Sequence, residues 1–174
     1  IGDSVRVRAQ LVEPGDGEVL HSFEPARSHR SDPTAALGAI RQQAMGAVAM
    51  RLNSDFQGWE GRVRPPTYEA YREFLIGLEL FNSGRYPGAI RHLDRSRAAD
   101  STFFIPYFWL VSAFGNRGMY AQRDSVLRLF EQHRSQLSEL ERIGLDRQHA
   151  TARGDLAATY RLSRQHYDRS PGSV

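Results

Sequence analysis

Histidine is the residue type in this chain best suited to acid–base or metal chemistry, because its side chain changes charge near neutral pH. The chain has six histidines and no cysteine. The histidines are His21, His29, His92, His133, His149 and His166. No two of them have the spacing that places metal ligands on one helix face, and no H-E-x-x-H motif occurs. Without thiolates or paired histidines, we expect no metal site, no cofactor and no catalytic residue.

Phosphate-binding loops and nucleophile motifs are also missing from the sequence. It has no Walker loop, no G-x-G-x-x-G and no G-x-S-x-G. Gly15 and Gly17 stand on either side of Asp16 between two predicted strands, whereas a phosphate cradle lies in front of a helix. We therefore expect that the protein is not an enzyme.

All 23 basic residues are arginine, and with 20 Asp and Glu they give a formal net charge of +3. Arginine binds phosphate well, so one interpretation is a nucleic-acid-associated part of a transcriptional regulator. The arginines are spread among the acids along the whole chain, whereas a nucleic-acid surface needs them clustered. A genome that favours arginine codons is the preferred explanation, and nucleic-acid binding is kept as the alternative function.

Three features of the sequence concern the cellular setting of the protein: its hydrophobic stretches, its N-terminus and its lack of cysteine. Its longest uncharged stretch, residues 101–116, contains Pro106 and is shorter than the roughly 20 apolar residues of a membrane span. The sequence begins at Ile1 without methionine or a signal-peptide pattern, which indicates a piece of a longer protein. Cysteine-free domains occur on both sides of membranes, so the compartment is open.

The N-terminal residues alternate between apolar and polar, as in a strand with one buried face. The alternating apolar residues are Val5, Val7, Ala9 and Leu11. Turn-forming residues follow at positions 14–17, and a second extended segment contains Val19, Leu20 and Phe23. This pattern predicts a β-hairpin over residues 4–24.

A helix is predicted to begin at Pro33, with Asp32 capping its free amides. Its apolar face should carry Leu37, Ile40, Ala44, Ala47 and Val48. A two-stranded hairpin with one helix is marginal alone, so we expect residues 1–52 to be a truncated α/β unit that docks elsewhere. Its free strand edge could also join a second copy in a homodimer. Residues 53–66 form a predicted linker, with Trp59 pinning it to a neighbour.

Beyond the linker the pattern is helical and repeats. Gly84 and Gly118 stand at equivalent positions 34 residues apart, and Gly154 follows after 36. We expect the extra two residues to lie within positions 131–139. Each glycine should end a helix in the left-handed conformation, which predicts two antiparallel helices per unit. The fold class is therefore α+β, with units over about 67–101, 102–136 and 137–170.

These units resemble the tetratricopeptide repeat. In the first unit the matching residues are Gly77, Gly84, Tyr86, Ala89, Ile90, Leu93 and Asp100, and the departures are Glu73, Ser96 and Ser101. The second unit matches at Tyr107, Leu110, Gly118 and Tyr120, and departs at Val111 and Arg123. The third matches at Ile143, Gly154, Leu156 and Tyr160. The resemblance covers residues 67–169 and implies a helical scaffold for protein–protein interaction.

The order of the two halves is similar to the C-terminal part of bacterial regulators that combine a TolB-like α/β domain with tetratricopeptide repeats. The residues that carry this likeness are V-R-A-Q-L-V at 7–12, G-E-V-L at 17–20 and P-T-Y-E-A-Y at 66–71. The resemblance implies a signalling protein with a kinase, cyclase or DNA-binding domain upstream. It also implies that this chain is a cytoplasmic or extracytoplasmic part of a membrane-linked or soluble regulator.

The same resemblance implies a concave surface lined by the first helix of each unit, which would accept a helix or an extended peptide. The implied partner-binding residues are Tyr71, Phe74, Leu78, Phe81, Asn82, Ile105, Phe108, Ser112 and Asn116. Asn82 and Asn116 are equivalent and should orient a peptide backbone, unless they only cap their helices. Leu75 and Trp109 stand where family members that bind C-terminal carboxylates carry charged residues, so such tails are disfavoured. Burial in the core is the simpler role for the aromatic residues.

Overall fold

Four short strands followed by seven α-helices make up the described part of the chain, residues 3–53 and 64–169 of a computed structural model. The predicted α+β class is confirmed. The strands are β1 (Ser4–Val7), β2 (Gln10–Val12), β3 (Val19–Ser22) and β4 (Ala26–His29). The helices are α1 (Pro33–Leu52), α2 (Tyr68–Asn82), α3 (Tyr86–Ala99), α4 (Ile105–Asn116), α5 (Tyr120–Glu131), α6 (Glu139–Ala152) and α7 (Leu156–Arg169).

The strands form a hairpin that is longer than predicted. Antiparallel β2 and β3 pair as expected around the turn, which Gly17 closes with a φ of +75°. The two arms then continue as β1 and β4, also antiparallel, and β4 was not predicted. The sequence pattern stopped at residue 24 because Glu24 and Pro25 interrupt the apolar alternation. The backbone nitrogen of Phe23 donates to the Ala9 carbonyl, which links the two short ladders.

Helix α1 begins at Pro33 as predicted, but its cap and its buried face differ from the prediction. The Asp32 side chain makes no capping hydrogen bond, and instead its carboxylate accepts one from the Thr34 hydroxyl. Leu37 and Val48 are exposed, although the predicted face included both. The buried residues are Ala36, Ile40, Gly46, Ala47 and Met50. Three of these five residues, Ala36, Gly46 and Ala47, are small and let α1 approach its neighbours closely.

Helix α1 packs on both halves of the molecule. Ile40 and Ala47 form a small core with Phe23 of the hairpin, whereas Met50 joins the core of the first helical unit. A Cβ atom at Gly46 would lie 1.9 Å from the Pro66 carbonyl oxygen, so only glycine fits there. Residues 54–63 of the predicted linker, including Trp59, lie outside the described residues.

Three antiparallel helix pairs follow, and the predicted glycine turns join them. Gly84, Gly118 and Gly154 have φ values of +71°, +69° and +73° at the ends of α2, α4 and α6. Five residues, 100–104, separate α3 from α4, whereas seven, 132–138, separate α5 from α6. The two extra residues sit beside a short 3₁₀ helix, Arg134–Gln136, within the stretch predicted to hold the slip. Each pair is therefore one unit of the repeat.

Local sequence explains where the first helix of each unit begins. The Thr67 hydroxyl accepts a hydrogen bond from the Ala70 nitrogen at the start of α2. Ser138 and Glu141 form a reciprocal capping box at the start of α6. Pro106 occupies the first turn of α4, where its missing N–H costs nothing.

Candidate functional site

Three of the nine predicted partner-binding residues lie in the core, which corrects the prediction for them. Tyr71, Phe74 and Ile105 are 3%, 1% and 4% exposed. Helix α1 covers Tyr71, whose phenol oxygen accepts a hydrogen bond from Asn53 Nδ2 at 2.8 Å. The Phe74 ring packs edge to face against Phe103, with the ring centroids 5.4 Å apart. These side chains leave no surface for a partner.

Phe108 is half-buried between three helices. Its ring centroid lies 4.8 Å from that of Phe130 on α5, in an edge-to-face arrangement. A Cβ atom at Gly144 of α6 would lie 2.8 Å from the Phe108 ring, so the glycine provides room for it. Phe108 therefore joins the second unit to the third, and packing explains its position.

Five predicted residues stay at the surface of α2 and α4. Phe81 and Leu78 are half-buried, and the Phe81 ring contacts Trp109 of α4 with centroids 4.8 Å apart. This contact holds α2 beside α4. The surface on these two helices, which we call the α2–α4 face, comprises Leu78, Phe81, Asn82, Ser112 and Asn116.

The two equivalent asparagines have different surroundings. Asn116 Nδ2 donates to the Tyr86 hydroxyl at 3.1 Å, so this side chain fixes the start of α3 against α4. Asn82 is exposed, and the structure shows no side-chain hydrogen bond for it within residues 3–53 and 64–169. Ser112 donates to the Phe108 carbonyl of its own helix. Asn82 is thus the amide of the α2–α4 face that is free to meet a ligand.

A polar cleft of about 460 Å³ lies where the hairpin, α1 and the α3–α4 loop meet. It is lined by His21, Ser22, Phe23, Glu24, Gln43, Arg64, Pro65, Thr67, Ala98, Ala99, Asp100, Ser101 and Thr102. Arg64 and Glu24 form an ion pair across it, with the guanidinium and carboxylate 3.3 Å apart. Burial, and then the nearby Arg64 charge, lower the pKa of His21, which favours its neutral form.

Asp100 is the structural centre of this cleft. Its carboxylate accepts hydrogen bonds from the backbone nitrogens of Thr67 and Thr102 at 2.9 and 3.0 Å, and from the Thr102 hydroxyl at 2.7 Å. These bonds tie the start of α2 to the end of α3, so the carboxylate serves the fold. The sequence could not reveal the cleft, because its walls come from segments far apart along the chain.

Titratable side chains elsewhere join neighbouring helices. His92 Nδ1 and a Glu73 carboxylate oxygen lie 2.8 Å apart between α2 and α3. Glu131 contacts both Arg134 and His149, and a hydrogen bond from Arg134 is the main reason why the Glu131 pKa is lowered. Among the described residues, no group of three or more side chains is placed to hold a metal ion.

Most ion pairs of the described residues bind an arginine to a nearby acid. The pairs are Arg64–Glu24, Arg72–Glu73, Arg97–Asp94, Arg123–Asp124, Arg134–Glu131, Arg134–Asp146, Arg164–Asp168 and Arg169–Glu139. In each of these pairs the carboxylate compensates the arginine charge locally. No helix in the same residues is long and apolar enough to cross a membrane.

Comparisons with protein families, with curated proteins and with solved structures give no match for this chain. The tetratricopeptide and TolB-like resemblances therefore rest on the residues quoted above.

Proposed function

We propose that the chain is a non-catalytic protein-interaction module of a bacterial regulator, and that residues from 67 onward form a tetratricopeptide-like array. The observation that carries this proposal is the set of three glycine turns, with φ near +70° at spacings of 34 and 36 residues, each joining two antiparallel helices. Repeats of this kind contact only their neighbours and build extended surfaces for partner proteins.

We assign the partner to the α2–α4 face. Its aromatic edge at Phe81 offers apolar area, and Asn82 offers an amide that both donates and accepts hydrogen bonds. Such a mixture suits the backbone and one or two apolar side chains of a peptide. The free edges of the two-stranded sheets also keep homodimerisation by strand addition as a prediction.

The alternative, a nucleic-acid-associated part of a transcriptional regulator, rests on the arginine content. The exposed arginines on the second helices, Arg91, Arg95 and Arg128, are its best candidates for phosphate contact. The scatter of the arginines among 20 acids along the chain weighs against this alternative, because a nucleic-acid surface needs clustered basic residues. Duplex DNA binding whose affinity falls steeply with salt would favour it over the interaction module.

The experiment is a selection of peptides from a phage-displayed library against the whole chain, followed by affinity measurements on variants. Asn82→Ala should weaken the selected peptides at least tenfold, or about 1.4 kcal/mol, because it removes amide hydrogen bonds and leaves the core intact. Arg95→Ala on α3 is the matched control and should bind like the unaltered chain. Equal affinities for Asn82→Ala and the unaltered chain would refute the assignment of this face.

A further inference from the structure

Helix α7 has an exposed apolar stripe. Leu156, Tyr160 and Tyr167 are 81%, 72% and 57% exposed, and none of the described side chains of α7 is buried. Spacings of four and seven residues place all three side chains on one face of the helix. We call these residues the α7 stripe.

The repeat shows what kind of element covers such a stripe. Alignment of Gly154 with Gly84 makes Leu156, Tyr160 and Tyr167 equivalent to residues of α3. The equivalent residues are Tyr86, Ile90 and Arg97.

In α3 these positions pack against the helix that follows. The Tyr86 hydroxyl accepts a hydrogen bond from Asn116 of α4, and the Arg97 guanidinium lies 6.0 Å from the ring centroid of Tyr107. Ile90 packs on the core that contains Leu110 of α4. The α7 stripe is therefore the surface on which another helix would lie.

The second unit supports the same register. Glu131 of α5 is equivalent to Arg97, and its carboxylate lies 3.1 Å from His149 Nε2 of α6. In both α3 and α5, this position contacts the first helix of the next unit. Tyr167, at the same position in α7, has no such helix above it in the described residues.

Charge indicates which occupant fits the stripe. Helix α7 carries three arginines, Arg161, Arg164 and Arg169, and a single acid, Asp168. Arg164 pairs with Asp168 at 3.0 Å and Arg169 with Glu139 of α6 at 2.8 Å, whereas no ion pair involves Arg161 among the described residues. A second copy laid on the stripe would add a second uncompensated Arg161 to the contact, and like charges repel. A helix with acidic side chains beside its apolar residues would meet complementary charge.

We propose that the α7 stripe binds an amphipathic helix of another protein, with Asp or Glu flanking the apolar face of that helix. This surface is separate from the α2–α4 face, so a negative result for one proposal leaves the other unaffected.

The test is a phage library that displays helical peptides with randomised surface positions, selected against the whole chain. Selected helices should carry Asp or Glu beside an apolar stripe, and Tyr160→Glu should weaken them at least tenfold. Leu37→Glu places the same charge at an exposed apolar residue of α1 and is the matched control, with unchanged binding. Arg161→Glu should reverse the preference towards Lys- or Arg-flanked helices.

Four results would overturn the proposal. They are a failure to select any helix, selected helices without acidic flanks, affinities that survive Tyr160→Glu, and a dimer in sedimentation that Tyr160→Glu dissociates. The last result would assign the stripe to a second copy. Because Tyr160 is exposed, circular dichroism and the melting temperature of the variant should match those of the unaltered chain.

Discussion

The first and third helix pairs share one topology but are packed in different ways. In α2–α3, Ala89 is fully buried, and a Cβ atom at Gly77 would lie 2.8 Å from Leu93 Cγ. The Ser96 hydroxyl donates to the Ala70 carbonyl at 2.7 Å in the same interface. In α6–α7 the residues equivalent to Gly77, Ala89 and Ser96 are Arg147, Thr159 and His166. None of these three is fully buried.

This difference distinguishes the glycine turn, which reverses the chain, from the interface contacts, which stabilise the packed helix pair. A glycine turn with positive φ is enough to reverse the chain, since both pairs have one. Small side chains at the interface then decide how closely the two helices approach and how much apolar area they bury. We therefore expect the first helix pair to be the more stable and the third the less stable.

The largest expected effect comes from overfilling the first pair. Ala89→Leu should lower the free energy of unfolding by roughly 1 to 3 kcal/mol, because the buried site has no room for three more carbons. The matched change in the third pair, Thr159→Leu, should cost less than about 0.5 kcal/mol at a half-exposed site. Denaturant titration of both variants measures the comparison. Equal losses would show that the two interfaces are packed alike.

A smaller effect is expected from removing the Asp100 carboxylate, which links the start of α2 to the loop after α3. Asp100→Ala should cost about 1 to 2 kcal/mol, because it leaves the Thr67 and Thr102 nitrogens without their acceptor. Asp94→Ala removes an exposed carboxylate of α3 that forms an ion pair with Arg97, and should change stability by less than about 0.5 kcal/mol. Thermal melts of the two variants should differ accordingly, and indistinguishable melts would contradict this role of Asp100.

The smallest expected effect is a pH dependence of the stability of α7 in the third pair. Burial, and then the charge of Arg147, lower the pKa of His166. The unfolded chain therefore binds this proton more readily than the folded chain, so α7 should lose stability as the pH falls through the usual histidine range. Free energies of amide exchange in α7, compared at about pH 8 and pH 6, should show the loss, and His166→Gln should reduce it. An α7 that becomes more stable at the lower pH would contradict the sign.

Sequence patterns predicted the elements better than their environments. Turn residues at 14–17, Pro33 and the three glycines each impose a local conformation, so the hairpin turn, the start of α1 and the helix pairs followed from them. Periodicity groups residues on one face but does not say which element covers it. That is why Tyr71 and Phe74, predicted for the partner surface, proved to be core residues beneath α1 and beside Phe103.

Periodicity also does not predict which residues meet at the polar cleft or what surrounds each asparagine. The polar cleft joins His21, Gln43 and Asp100, whose proximity depends on how α1 docks on the helical array. Two equivalent asparagines also diverged, since Asn116 meets Tyr86 of the preceding unit. The α7 stripe, by contrast, is visible in the repeat register once the packing of α3 is known.

Native-state hydrogen exchange resolved along the chain tests the central claim, that the first helix pair is packed more closely than the third. The free energy of opening should be highest for amides of α2 and α3, intermediate for α4 and α5, and lowest for α7. Protection that is uniform across the helices, or highest in α7, would contradict the account.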